Sequence, residues 1–137
     1  MFGMTKKQFL KKSKNCLKDT GIQLILIRKI FIRESGGEID IDETYRELDN
    51  LRKNMEKIFF RYERLSPPSK CKPLQIKILK TLIIFQDALV ANSEYLILSK
   101  KGLPGEARAE MVKSMEMMEH FREKFRKLSQ KVDLYLR

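Results

Sequence analysis

The chain has no tryptophan, a single histidine and two cysteines in 137 residues. Each scarcity removes a class of chemistry. Cys16 and Cys71 are too few and too far apart for a disulfide framework or a CxxC metal or redox site. Two reduced thiols in a cytoplasmic protein is the plain expectation. A long apolar run is also missing. Ile22 to Ile32 is broken by Arg28 and Lys29, and Leu74 to Leu98 carries Lys77, Lys80, Asp87 and Glu94, whereas a membrane helix needs about 20 consecutive apolar residues. The opening MFGMTKKQFLKKSKN has lysines with no apolar stretch behind them, so it does not have the form of a secretory leader.

His120 would have to serve any Ser-His-Asp or Cys-His nucleophile system, since the chain offers no other histidine. It lies about 200° round a helix from Met118, away from the apolar stripe, which predicts a solvated side chain and weakens haem ligation inside a bundle. A di-iron carboxylate site needs Glu-x-x-His on two helices; Glu116 to His120 is one residue too long and has no second copy. Zinc lacks ligands. Neither GxGxxG nor GxxxxGK[ST] occurs, so the usual nucleotide-cradling loops are absent. Met111, Met115, Met117 and Met118 at helical spacing predict core filling or an adaptable docking surface rather than a cofactor box. The expectation is a protein that is not an enzyme and carries neither metal nor cofactor.

What remains is helical periodicity and positive charge. Four segments, approximately 5–35, 42–65, 73–101 and 104–136, carry apolar residues at helical spacing, and short Gly, Pro and Ser groups separate them. Thr5 with Gln8 forms a capping box, and Met4 with Phe9 a hydrophobic staple. The first stripe is Phe9, Cys16, Thr20, Leu24, Ile27 and Phe31, and Ser35-Gly36-Gly37 ends it. Asp40 or Asp42 caps the second, whose face runs Leu48, Leu51, Met55, Ile58, Phe59, Tyr62 and Leu65 up to Pro67-Pro68. The third opens at Pro73 with a core face of Ile78, Leu82, Phe85, Leu89 and Leu96. The fourth follows Pro104 and presents Met111, Met115, Met118, Phe125, Leu128 and Val132. Residues 30–41 also carry a hairpin signal, Ile30, Ile32, Ile39 and Ile41 alternating around Gly36-Gly37. A lone two-stranded ribbon is marginal in water, and four segments of matched length suit a bundle better. The predicted fold is all-α, an antiparallel up-down-up-down four-helix bundle, in one domain over residues 1–137.

That topology organises the net charge of +11. The starts of helices 1 and 3 and the ends of helices 2 and 4 meet at one pole, gathering 19 basic and five acidic residues, a net +14, and leaving −3 for the other half. An anionic partner for this pole follows. Nucleic acid is the first candidate, through sequence-independent phosphate contact by Lys6, Lys7, Lys11, Lys12, Arg61, Arg64, Lys70 and Lys72. No RNP, zinc-finger or helix-turn-helix pattern accompanies them, and the aromatics at hand for base stacking are Phe2, Phe9 and Tyr135. An acidic protein is a candidate of similar standing. A peripheral anionic membrane, met by Phe2, Phe9 and Leu10 among the lysines, ranks behind both.

Helix 3 is apolar nearly all round from Leu82 to Ala91. Ile76, Ile83, Val90 and Ile97 lie off the core face, among Asp87 and Glu94. They form a candidate surface for a homo-oligomer or a partner helix. The competing explanation is that helix 1, apolar along Ile22 to Ile32, covers this face within the bundle. Asp87 and Asn92 are left open as buried register-setting residues or rim residues. The functional expectation is a non-catalytic binding or assembly module acting through its basic pole. The alternative is a structural, self-assembling protein held through helix 3, with the charge serving solubility.

Overall fold

The structure, a computed structural model, describes residues 3–37 and 39–137. Four helices form an all-α bundle: α1 (Lys6–Ser35), α2 (Ile41–Glu63), α3 (Lys72–Lys100) and α4 (Pro104–Leu136), with a 3₁₀ turn at Ser69–Cys71 leading into α3. There is no strand among the described residues.

The start of α1 is built as its sequence requires. Gln8 N donates to Thr5 Oγ1 at 3.1 Å and Thr5 N to Gln8 Oε1 at 2.9 Å, and Met4 packs half-buried against the core of which Phe9 is part. Asp40 caps α2, accepting from Glu43 N at 3.0 Å. Gly37 at φ +73° and Gly102 at φ +75° take the left-handed turns that follow α1 and α3, where a side chain would be strained. No hairpin forms among the described residues of 30–41. α1 runs unbroken to Ser35, because Ile30 and Phe31 are both buried, as neighbours on a helix allow and the alternating faces of a strand do not.

Contacts between helices run in opposite senses along each neighbouring pair. Ser13 meets Tyr62, Gln23 meets Asn54 and Arg33 meets Glu47 across α1 and α2. Gln75 meets Leu65 and Lys100 meets Asp42 across α2 and α3. α4 returns along α3 and closes against α1 through Lys14 and Asp133. α3 and α4 approach closely, since Ala88, Ala91, Ala107 and Ser114 are small and buried; Ser114 Oγ donates to the Ala88 carbonyl at 2.8 Å.

One continuous core joins all four helices. Ile78, Leu82, Phe85, Leu89 and Leu96 of α3 are each fully buried, as their spacing predicts. The stripe of α4 differs from expectation: Phe121 is fully buried, its ring edge-on to Phe85 at 4.8 Å, while Met115 is exposed. The inward positions are Ala107, Ser114, Met118, Phe121, Leu128 and Val132, with Met111, Met117 and Phe125 half-buried. Met115 lies about 100° away from Ser114 on the helix. Of the methionines in this run, Met118 is fully buried, and Met117 packs half-buried against the core.

Two further expectations are corrected by burial. Phe9 and Leu10 sit inside the core, at 0% and 3% exposure, so neither is available to enter a membrane beside the lysines. Phe2 lies outside the described residues. Helix α1 does not cover the outer face of α3 either, for Ile76, Ile83 and Val90 are 51%, 43% and 51% exposed. The apolar excess of α1, at Ile22, Ile25, Leu26 and Ile32, is itself solvent-facing. No helix among the described residues is long and apolar enough to cross a membrane.

Candidate anion-binding surface

The helix order brings the lysine-rich segments together at one end. Lys77 and Lys80 on α3 and Lys124, Lys127 and Lys131 on α4 recur at intervals of three and four, which puts each set on one side of its helix. Because the two helices pack along each other, both sets face one groove. Its volume is about 350 Å³, and Thr81, Ile84 and Leu128 complete the lining. None of the residues lining it is a carboxylate. Glu123 pairs with Lys127 at 3.2 Å from the exposed surface outside.

A second cleft of about 250 Å³ adjoins this groove and shares Lys77 and Lys131 with it. Lys6 and Leu10 of α1, Lys70, Cys71, Pro73 and Leu74 at the start of α3, and Tyr135 of α4 form the rest of its wall. Tyr135 is 46% exposed, with Lys6 Nζ at 5.6 Å and Lys131 Nζ at 5.9 Å from its ring centroid. Ammonium groups at that range are drawn to the ring face. The surface is therefore seven lysines around two connected hollows, with one aromatic ring among them.

The α1–α2 side of the same end is different. A cavity of about 460 Å³ is lined by Lys12, Asn15, Cys16, Lys18, Asp19, Ile58, Arg61, Tyr62 and Leu65. There Arg61 Nη2 lies 2.8 Å from Asp19 Oδ2, so its charge is offset locally. Lys14 is likewise paired with Asp133 at 3.2 Å. Of the eight basic residues expected to make contact, Lys6 and Lys70 fall in the lysine surface, and Lys12 and Arg61 in the α1–α2 cavity. Lys7 and Lys11 on α1, Lys72 at the start of α3 and Arg64 just past the end of α2 are exposed outside both. Comparison with protein families, curated proteins and solved structures finds no match for this chain.

Lys77, Lys80, Lys124, Lys127 and Lys131 belong to the basic pole that the helix order predicts. Their spacing was legible, but the pairing of the two helix faces was not. At the inner wall of the α1–α2 cavity, burial pushes the Cys16 thiol up to about 12, with Asp19 adding to the rise and Arg61 and the Thr20 hydroxyl opposing it. A thiol so held is protonated at neutral pH and is a poor nucleophile. Tyr62 is also shifted upward by burial. Its hydroxyl lies 2.7 Å from Ser13 Oγ, and since Ser13 donates to the Phe9 carbonyl, Tyr62 is the donor of that pair. His120 is exposed, as its position on α4 predicts. Asp87 is at the rim, whereas Asn92 is fully buried.

Proposed function

We propose that this chain is a non-catalytic binding module whose basic end takes an anionic polymer, nucleic acid in the first place. The observation that carries the reading is the groove between α3 and α4, ringed by five lysines with no carboxylate in its lining. Like charges set at helical spacing cost stability, a few tenths of a kcal/mol per pair, and an opposite charge brought between them removes that cost. The apolar floor of Ile84 and Leu128 holds water away from one side of the ammonium groups, which focuses their field outward. Lysine supplies point charge without the bidentate fork of arginine, so contact is with phosphate and carries no base preference.

Fluorescence anisotropy with labelled single-stranded and duplex oligonucleotides at low salt tests the reading. Binding is expected, and it should disappear when Lys77, Lys80, Lys127 and Lys131 are changed to glutamate with helical circular dichroism retained. Absence of binding to either nucleic acid at about 50 mM salt, where phosphate contacts are strong, ends it.

A second reading rests on the exposed Ile76, Ile83 and Val90 of α3. These residues, with the half-buried Ile97, would hold copies of the chain together. Sedimentation of the wild type as a monomer at high concentration sinks this reading. Dissociation of an oligomer by Ile83→Glu with Val90→Lys, leaving nucleic-acid affinity unchanged, supports it.

A further inference from the structure

Away from the basic end, the last turn of α1 puts a carboxyl group inside the bundle. Glu34 is 5% exposed and faces Asn92 of α3, itself fully buried. Asn92 Nδ2 donates to Glu34 Oε1 at 2.9 Å, and the Met111 thioether of α4 lies 3.9 Å from the same nitrogen. Both hydrogens of the amide are thereby accounted for. Two buried atoms of the pair are left without a partner, Glu34 Oε2 and Asn92 Oδ1. Both are acceptors when the carboxyl is ionised, and buried acceptors without donors are costly. One proton supplies the single donor that the two atoms lack.

We propose that Glu34 is held as the neutral acid, its Oε2–H donating to Asn92 Oδ1, so that acid and amide close a two-bond ring that latches α1 onto α3 and opens on ionisation. No bond other than O–H is made or broken, and the proton goes to and comes from solvent. Burial pushes the Glu34 carboxyl up to about 7, against the smaller opposing effects of the Asn92 hydrogen bond and of Arg33. Arg33 is the charge acting on Glu34, and its guanidinium is engaged by Glu47 of α2. The groups that meet Glu34 and its amide partner from α3 and α4, Asn92 and Met111, carry no charge.

Unfolded, Glu34 ionises at an ordinary value of about 4.3. The folded form therefore holds its proton more tightly, and the stability drawn from the neutral acid is complete below that value. It is lost as pH rises from there to about 7 and is level above. The same geometry accepts glutamine, whose amide N–H replaces the O–H without a titrating proton.

Carboxyl carbon-13 NMR of the full chain, followed from pH 3 to 9, reads the ionisation of Glu34 directly. A midpoint above 6 is expected, and a midpoint in the ordinary glutamate range overturns the proposal. Denaturant unfolding of wild type and E34Q across the same pH range provides the second measurement. The folding equilibrium constant of the wild type should fall on the order of a hundredfold relative to E34Q as pH rises from about 4.5 to 7.5. Parallel pH profiles, or an E34Q chain that fails to fold, also refute the ring, since an amide N–H in place of Oε2 reaches Asn92 Oδ1 as the acid O–H does.

Discussion

Replacing Lys77, Lys127 and Lys131 together by glutamine removes three of the seven ammonium groups around the two adjoining clefts. Each phosphate neutralised by a lysine releases condensed counterions, so the number of contacts can be read from the salt dependence of binding. With all seven engaged on a single strand, log K should fall against log salt with a slope of about −5, from roughly −0.7 per contact. Between 50 and 200 mM salt that is roughly a thousandfold loss of affinity. The triple variant should show a slope of about −3, and a loss of roughly fiftyfold over the same range. Arg61→Gln is the matched control. Arg61 is at the same end of the bundle but is paired with Asp19 at 2.8 Å, so its removal should leave the slope nearly unchanged. Anisotropy titrations at five or six salt concentrations measure all three proteins. A triple variant with the wild-type slope refutes the placement of the contact surface on α3 and α4. A larger change from Arg61→Gln than from the triple variant moves the surface to the α1–α2 side.

Three other outcomes follow from the packing. Phe121→Ala should cost about 3 to 5 kcal/mol by leaving a cavity against Phe85, whereas Met115→Ala, six residues away in sequence but exposed, should change stability by no more than about 0.5 kcal/mol; urea unfolding followed by circular dichroism compares them. Thr5→Ala removes an acceptor for Gln8 N and should cost about 1 kcal/mol, with fraying confined to the first turn of α1 in amide exchange. Cys16, buried and with its thiol raised to about 12, should resist a thiol-specific reagent at pH 8 in the folded protein and react readily in urea. Fast labelling of the native chain at Cys16 would contradict the packing of α1 against α2.

Capping and periodicity made much of the fold legible. Thr5, Gln8, Asp40, Gly37 and Gly102 act locally, on their own turn of chain, and so their roles need no knowledge of neighbours. The fully apolar side of α3 was also readable, since five large residues at helical spacing have few other places to go. The stripe of α4 was harder to read because its inward line passes through Ser114, whose hydroxyl is satisfied only by the Ala88 carbonyl of another helix. Glu34 and Gln23 were invisible as buried positions for the same reason, their partners Asn92 and Asn54 being 58 and 31 residues away. Buried hydroxyls such as Thr20 and Ser93 are satisfied by the carbonyl four residues back on their own helix, whereas these larger polar side chains are met by a distant partner.

By itself the sequence determined the four helices, their ends and the net charge of +11, because helix formation, capping and formal charge depend on residues within a turn or two of one another. It did not determine which lysines share a surface. That was decided by the packing of α3 along α4, which turns two separate helical rows into one carboxylate-free groove and leaves Arg61 on the other side facing Asp19. Tertiary structure likewise decided that Ile22, Ile25, Leu26 and Ile32 of α1 face solvent instead of shielding α3. Charges interact over about 8 to 10 Å at moderate salt, a distance that chain order alone cannot assign. Only the arrangement of the helices brings Lys77 and Lys131, 54 positions apart, to the wall of one cleft.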